Sequence, residues 1–142
     1  MDRQVNIEIF RIKDYQKAIA LWRNAEGIGL SNADSKDNMK AYLKRNSRMS
    51  FVARYHNKII GAVLCGHDGR RGYLHHLAVH NDFRNQGVGS ALVEKCISAL
   101  QSIGIQKCHL FILNTNLAGS RFWEKIGWTC RKDIGVISKE IK

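Results

Sequence analysis

The fold is indicated by one stretch of sequence, Arg84-Asn85-Gln86-Gly87-Val88-Gly89-Ser90. It lies between an apolar run at residues 77–79 and an amphipathic segment that continues to Ile103. This pattern predicts a strand, a glycine-containing turn and the start of a helix. The first N–H groups of a helix have no helical acceptor and lie at the positive end of its dipole, so they suit a phosphate. Because Gly87 and Gly89 allow close backbone approach and Arg84 adds positive charge, the stretch predicts a pyrophosphate site.

Length and composition indicate a single domain over residues 1–142, with 44% hydrophobic and 25% charged residues. No apolar run approaches the roughly 18 residues of a membrane helix, and the N-terminus lacks a signal-peptide core. We therefore expect a cytoplasmic protein with no membrane partner. The four cysteines form no C-x-x-C pair and the histidines show no zinc spacing, so we expect reduced thiols and no metal.

The formal net charge of +11 favours an anionic partner. A phosphorylated cofactor, a nucleic acid and an acidic surface all satisfy this condition, and so does a basic protein whose charges are simply solvated. The basic residues are dispersed, without the runs of five or six that mark a nucleic-acid-binding tail. A nucleic-acid-binding protein is therefore the less favoured alternative.

Hydrophobic periodicity predicts the order β-α-α-β-β-β-α-β-α-β-β. The predicted strands lie at residues 5–10, 50–55, 59–65, 73–79, 107–113, 128–130 and 134–141, and the helices at 15–24, 35–45, 88–103 and 116–126. Asp14 is a candidate cap for the first helix, and Asp34 or Ser35 for the second. The strand–helix–strand unit over residues 73–113 predicts a parallel crossover. The predicted fold class is α/β (α+β), with a mixed central sheet of six to seven strands and about four helices.

Element order and two motifs together resemble the GCN5-related N-acetyltransferase (GNAT) superfamily. Its acetyl-CoA signature is Arg or Gln, two residues, Gly, one residue, then Gly or Ala, which residues 84–89 match. A second signature is an Asn, a small residue, then aromatic-Glu-Lys-apolar-Gly-aromatic, which matches Asn116, Gly119 and residues 122–128. The resemblance covers about residues 51–128. It implies a GNAT fold and direct transfer of the acetyl group of acetyl-CoA to a primary amine of a small molecule or protein.

The resemblance also implies roles for individual residues. The strand Leu77-Ala78-Val79 is expected to pair with the pantetheine arm of acetyl-CoA, and a backbone N–H near Val79 to stabilise the oxyanion. Asn116 is expected to contact the pantetheine or the acetyl end, and Trp123 to pack on the pantetheine. A homodimer through the C-terminal strands is compatible with the resemblance. The pyrophosphate is expected to contact Arg84, Asn85, Gln86, Gly87, Val88, Gly89 and Ser90.

The candidate base lies on the strand at residues 73–79. Regular alternation predicts that Tyr73 and His75 share one face with Leu77 and Val79, and that His76 lies on the other with Leu74 and Ala78. A histidine titrates near neutral pH and can accept an amine proton. This stretch is similar to arylalkylamine N-acetyltransferases, in which histidines on this strand are the base. We expect His75 to be the base with Tyr73 as a relay, the alternative being a packed histidine without a role; His76 is expected to be structural.

Trp123 departs from the family pattern. Most members have a tyrosine here that protonates the leaving thiolate, and an indole N–H donates a hydrogen bond but does not ionise usefully. Either the thiolate leaves unassisted, or Ser120 or a water replaces the acid. The same departure keeps a non-catalytic acetyl-CoA-binding module as an alternative. The acceptor amine is not identified; its specificity is expected in the loop at 25–33, the turn at 66–72 and the last two strands.

Overall fold

The computed structural model describes residues 4–142. They form two compact units, one ending at Phe111 and the other comprising Ile112–Lys142. Within the described residues, no helix combines the length and the apolar character needed to cross a membrane. The first unit contains the sheet and three helices, and the second contains one helix and the C-terminal segment.

The first unit follows the predicted element order. Its sheet has the strand order β1-β2-β3-β4-β5, in which every pair is antiparallel except β4–β5. The parallel pair confirms the crossover, and the mixed α/β architecture confirms the predicted fold class. The elements are β1 (Asn6–Ile9), α1 (Tyr15–Arg23), α2 (Lys36–Arg45), β2 (Phe51–Tyr55), β3 (Lys58–His67), β4 (Gly72–Val79), α3 (Val88–Ser102) and β5 (Cys108–Leu110), with α4 (Leu117–Lys125) in the second unit.

The sheet is smaller than predicted. It has five strands, β5 is shorter than residues 107–113, and the two closing strands expected at residues 128–130 and 134–141 are not strands in the described structure. Alternating apolar residues form a strand only where a neighbouring edge satisfies their backbone groups. In the C-terminal segment, Ile137 and Ile141 are 100% and 94% exposed, so the apolar pattern is present but has no packing partner there.

The start of α1 also differs from expectation. The Asp14 side chain does not cap α1; its Oδ1 pairs with Arg54 Nη2 at 3.0 Å, and its Oδ2 accepts a hydrogen bond from the Arg11 N–H at 3.1 Å. Asp14 is buried, and a buried carboxylate needs a compensating charge, so the ion pair prevails over the cap. Ser35 caps α2 as predicted, because its Oγ accepts from the Asn38 N–H at 3.2 Å.

Helices cover both faces of the central strand β3, and nearly all of its residues are buried. On one face α1 and α2 contribute Trp22 and Met39 to a core that includes Leu64. On the other, α3 approaches so closely that a Cβ at Gly61 of β3 would lie 3.0 Å from Leu92 Cδ1. A strand covered on both faces has a nearly continuous apolar sequence, as residues 59–65 do.

Gly66→Ala should destabilise the protein by about 1–3 kcal/mol, the usual effect of overpacking a well-filled interior. A Cβ there would lie 2.7 Å from Tyr42 Oη and 2.8 Å from Asn46 Cγ. Asn46 cannot swing away, because it is buried and its Oδ1 accepts from the His67 N–H. Urea unfolding measures the change. The control is Gly29→Ala, where a Cβ meets nothing within 4 Å; an equal loss in both variants would contradict the packing argument.

Candidate active site

The site begins with a bulge in β4. Leu64 of β3 pairs with His75 and Ala62 pairs with Ala78, so two steps along β3 correspond to three along β4. The extra residue lies next to His76, whose φ is +57°. A bulge shifts the alternation by one residue. The predicted uniform alternation is therefore wrong: His75 shares a face with Ala78, whereas Val79, opposite Gly61, lies on the other face.

The bulge also directs His76 towards the α1 side of the sheet. Its ring centroid lies 5.2 Å from that of the buried Trp22, and its Nε2 lies 2.9 Å from Asp34 Oδ1. Asp34 belongs to a short 3-10 turn before α2, where its Oδ2 accepts from the Ser31 N–H at 3.0 Å. The pairing of His76 with Asp34 joins residues 42 apart, and no local sequence pattern indicates it.

His75 lies among aromatic rings. Its centroid is 6.4 Å from those of Tyr42 and His76 and 6.5 Å from that of Phe111. Burial lowers the pKa of His75 below its usual 6.5; the electrostatic effect of the neighbouring His76 lowers it further, and Asp34 opposes the shift. Burial raises the pKa of Tyr42, so its hydroxyl stays protonated. At neutral pH His75 is therefore an uncharged imidazole, which is the form that can accept a proton.

Tyr73, the predicted relay, packs against His109 of β5, with ring centroids 5.8 Å apart. In the regular part of β4, before the bulge, it lies two residues from His75 and so shares its face. Among the described residues, no group of three His, Cys, Asp or Glu side chains converges as a metal site. Cys65 and Cys96 are free thiols in the core.

The outer edge of β4 is open over most of its length. β5 pairs with β4 only from Gly72 to Leu74, and within the described sheet no strand pairs with this edge beyond Leu74. The predicted pantetheine-binding residues Leu77, Ala78 and Val79 follow along this edge. Arg84 Nε donates to Val79 O at 3.1 Å, which anchors the guanidinium at the end of the strand. An unpaired edge is a surface to which an extended amide-bearing chain can add.

β4 leads through a turn into α3. Asn85 and Gly87 have φ values of +61° and +82°, and Gly87 is the N-cap of α3. Among the described residues no side chain caps α3 and no acidic residue lies in its first turn, so the N–H groups at the helix start have no helical acceptor and no neutralising charge within that turn. Val88 is buried and anchors the turn in the core. The remaining predicted pyrophosphate contacts are exposed or half-buried: Arg84, Asn85, Gln86, Gly87, Gly89 and Ser90.

The second unit contains Asn116 and Trp123, whose ligand roles stay predictions. Asn116 caps α4, with its Oδ1 accepting from the Gly119 N–H at 2.9 Å. A Cβ at Gly119 would lie 2.6 Å from Asn116 Nδ2, which explains the small residue in the second motif. Trp123 is buried, with ring centroids 5.2 Å from Phe122 and 4.8 Å from Trp128. These contacts give the motif a structural role in this unit.

The lowered pKa of His75 predicts a pH-dependent stability. At pH values between the lowered pKa of His75 in the folded protein and about 6.5, the unfolded chain binds more protons at this position than the folded chain. The free energy of unfolding is therefore highest above pH 6.5 as far as His75 determines it, and it decreases as the pH falls through this window. Urea unfolding at pH 7.5 and pH 5 should show a smaller loss of stability for His75→Gln than for the unmodified protein. Identical losses in the two proteins would contradict a depressed His75 pKa.

Comparison with known proteins gives consistent matches. The sequence model of the Acetyltransferase (GNAT) family matches residues 15–128. An acetyltransferase from Pectobacterium atrosepticum is 32% identical over 122 residues, which cover 86% of each chain.

Solved structures show the same fold. PaiA N-acetyltransferase from Thermoplasma acidophilum, solved in complex with coenzyme A, superposes with a TM-score of 0.81 and 18% identity over 93% of this chain and 94% of that one. Ard1 from Thermoplasma volcanium superposes with a TM-score of 0.77 and 18% identity over 88% of this chain and 82% of that one. At these identities the likeness concerns the fold alone.

Proposed function

Because the chain belongs to the acetyltransferase (GNAT) family, we propose that it transfers the acetyl group of acetyl-CoA to a primary amine of a small molecule or a protein. The observation that carries the proposal is the arrangement along β4. A single strand bears an uncharged histidine at its bulge, has an open edge beyond that histidine, and leads into an uncapped helix start. The histidine suits a base, the open edge suits the amide-bearing arm of the donor, and the helix start suits its pyrophosphate.

The donor is proposed to bind along β4 and at the start of α3. The pyrophosphate accepts hydrogen bonds from the N–H groups of residues 86–90, with Arg84 as a fixed positive charge. The pantetheine amides pair with Leu77 and Val79, as an added strand would. The Val79 carbonyl already accepts from Arg84 Nε, but a carbonyl oxygen has two lone pairs and can accept a second bond.

The reaction requires no covalent enzyme intermediate. The amine nitrogen attacks the thioester carbon, the proton passes from the amine to His75, and the carbon–sulfur bond breaks to release CoA. A backbone N–H near Val79 is the proposed donor to the oxyanion of the tetrahedral intermediate. Trp123 offers no ionisable acid, so CoA leaves as a thiolate or takes a proton from Ser120 or water.

Three broader expectations belong to the same proposal: a single domain over residues 1–142, a cytoplasmic location and a homodimer. The apolar C-terminal segment supports the homodimer, since Ile134, Val136, Ile137 and Ile141 are each at least 61% exposed. Exposed apolar residues grouped along one segment are typical of a protein–protein contact. The alternative function, a non-catalytic acetyl-CoA-binding module, is motivated by Trp123.

Gly87→Ala should weaken CoA binding about tenfold or more, because a side chain at φ +82° strains the turn that presents the N–H groups. Isothermal titration calorimetry with CoA measures the effect. Gly69→Ala is the matched control: Gly69 has a φ of +90° in the turn between β3 and β4, and at both positions a Cβ meets nothing within 4 Å. Equal CoA affinities in the two variants would place the pyrophosphate elsewhere.

His75→Gln should lower kcat/KM by roughly 10²–10⁴-fold while leaving CoA affinity unchanged, because general base catalysis contributes about that much. Release of the CoA thiol in a screen of amines measures the rate. For the unmodified protein, the fall in kcat/KM that is due to protonation of His75 should lie below pH 6.5, since the pKa of His75 is lowered from that value. CoA binding without thiol release for any amine would favour the non-catalytic alternative.

A further inference from the structure

Three elements meet at His76. The side chain projects from the bulge of β4, its ring packs on Trp22 of α1, and its Nε2 reaches Asp34 in the 3-10 turn before α2. The side chains of His76 and Asp34 are only 19% and 10% exposed. His75, the proposed base, is the preceding residue of the strand. The general base and the loop before α2 are therefore connected through one hydrogen bond.

We propose that Asp34 and His76 form a positioning pair, in which the anchored carboxylate holds the β4 bulge so that His75 faces the acceptor amine. The inference rests on the proposed function of His75 as the base. It adds two positioning residues to that site, neither of which touches the donor in the proposed arrangement. It also assigns a role to the loop at residues 24–35, which the pair holds against β4.

Asp34 is a rigid anchor because three hydrogen bonds hold it. Its Oδ2 accepts from the Ser31 N–H at 3.0 Å, and its main-chain carbonyl accepts from Tyr15 Oη at 2.6 Å. Its Oδ1 is the atom that meets His76 Nε2 at 2.9 Å. The bonds from Ser31 and Tyr15 fix the turn and the carboxylate independently of the bond to His76. The direction of Oδ1 therefore does not depend on His76.

His76 needs such an anchor. A residue with a Cβ at φ +57° is strained, and strained backbone persists only where the surroundings hold it. Trp22 packs on one side of the ring, and the hydrogen bond to a carboxylate fixes its tip. Without that bond, the bulge would lose the contact that compensates its strain, and His75 would lose its fixed direction.

The pair also acts on the charge of His75. A protonated His76 disfavours a second proton on His75, whose ring centroid is 6.4 Å away, whereas Asp34 favours it. Tyr42, from α2, is another titratable ring beside His75, and burial raises its pKa, so it stays neutral. The neighbour from the end of β5, Phe111, carries no charge. A change at His76 should therefore be measurable as a change in the proton affinity of His75.

The test compares His76→Gln with His56→Gln. Glutamine at position 76 keeps a donor for Asp34 but has neither the charge nor the ring that packs on Trp22, so it no longer holds the bulge in place. His56 is an exposed residue with a φ of +55°, so its replacement has the same backbone requirement in the turn between β2 and β3. The first measurement is the NMR titration of the His75 ring in each protein without ligand. The second is kcat and KM for the best amine of the screen.

In His76→Gln the pKa of His75 should rise, because the electrostatic effect of His76 that lowers it is removed, while burial still keeps it below 6.5. In His56→Gln it should stay at the value of the unmodified protein. Values of kcat should fall about 10- to 100-fold in His76→Gln alone, as expected when a catalytic group is misplaced by about 1 Å, with CoA affinity unchanged. A His75 pKa and a kcat that both equal those of the unmodified protein would overturn the proposal.

Asp34→Asn is the second variant. With its only oxygen on the Ser31 N–H, the amide presents its NH2 group to His76 and can pair only with an unprotonated Nε2. We expect faster hydrogen exchange at the amides of residues 31–35 or a shifted His75 titration, and a lower kcat in either case. Unchanged exchange, titration and kcat would count against the pair. NMR titration and exchange need no substrate, so they test the pair even if the unmodified protein acetylates no amine, a result that would refute only the proposed function.

Discussion

One additional residue in β4, the bulge at His76, separates two halves of the strand that differ in their pairing. Before the bulge, β4 is an inner strand that pairs with β3 on one side and β5 on the other. After it, β4 keeps only its pairing with β3, and its other edge is open. The bulge lies between the part of β4 that pairs on both edges and the part that pairs on one. It brings both His75 and His76 to the side of α1. A regular strand would have separated the two rings by placing them on opposite faces.

Close packing on both faces of the sheet makes this bulge a fixed feature. β3 is buried along almost its whole length, and a Cβ at Gly61 would lie 3.0 Å from Leu92 Cδ1 and 3.1 Å from Ala53 Cβ. A densely packed interior does not deform continuously, so β4 cannot slide along β3 to remove the extra residue. The irregularity lies in the pairing of β4 with β3, and the opposite edge of β4 is left unpaired by β5 from just before this point.

Much of the fold followed from local patterns. Period-two and period-3.6 hydrophobicity located α1 to α4 and β1 to β4 to within a few residues, and Gly104, with a φ of +85°, follows the end of α3. The prediction failed where a local signal competed with a distant partner. Asp14 has the sequence position of a cap, but Arg54 pairs with it. The C-terminal residues have the pattern of strands, but no edge pairs with them in the described chain.

The sequence alone determined the family, the glycine turn before α3 and the two histidines on β4, because each is a short-range pattern of residue types. The tertiary structure alone decided which way these histidines point and what they meet. A bulge depends on the register between two strands, and register is set by packing over the whole sheet rather than by the bulged strand itself. The contact of His76 with Asp34, 42 residues away, exists only because the fold brings the loop before α2 against β4.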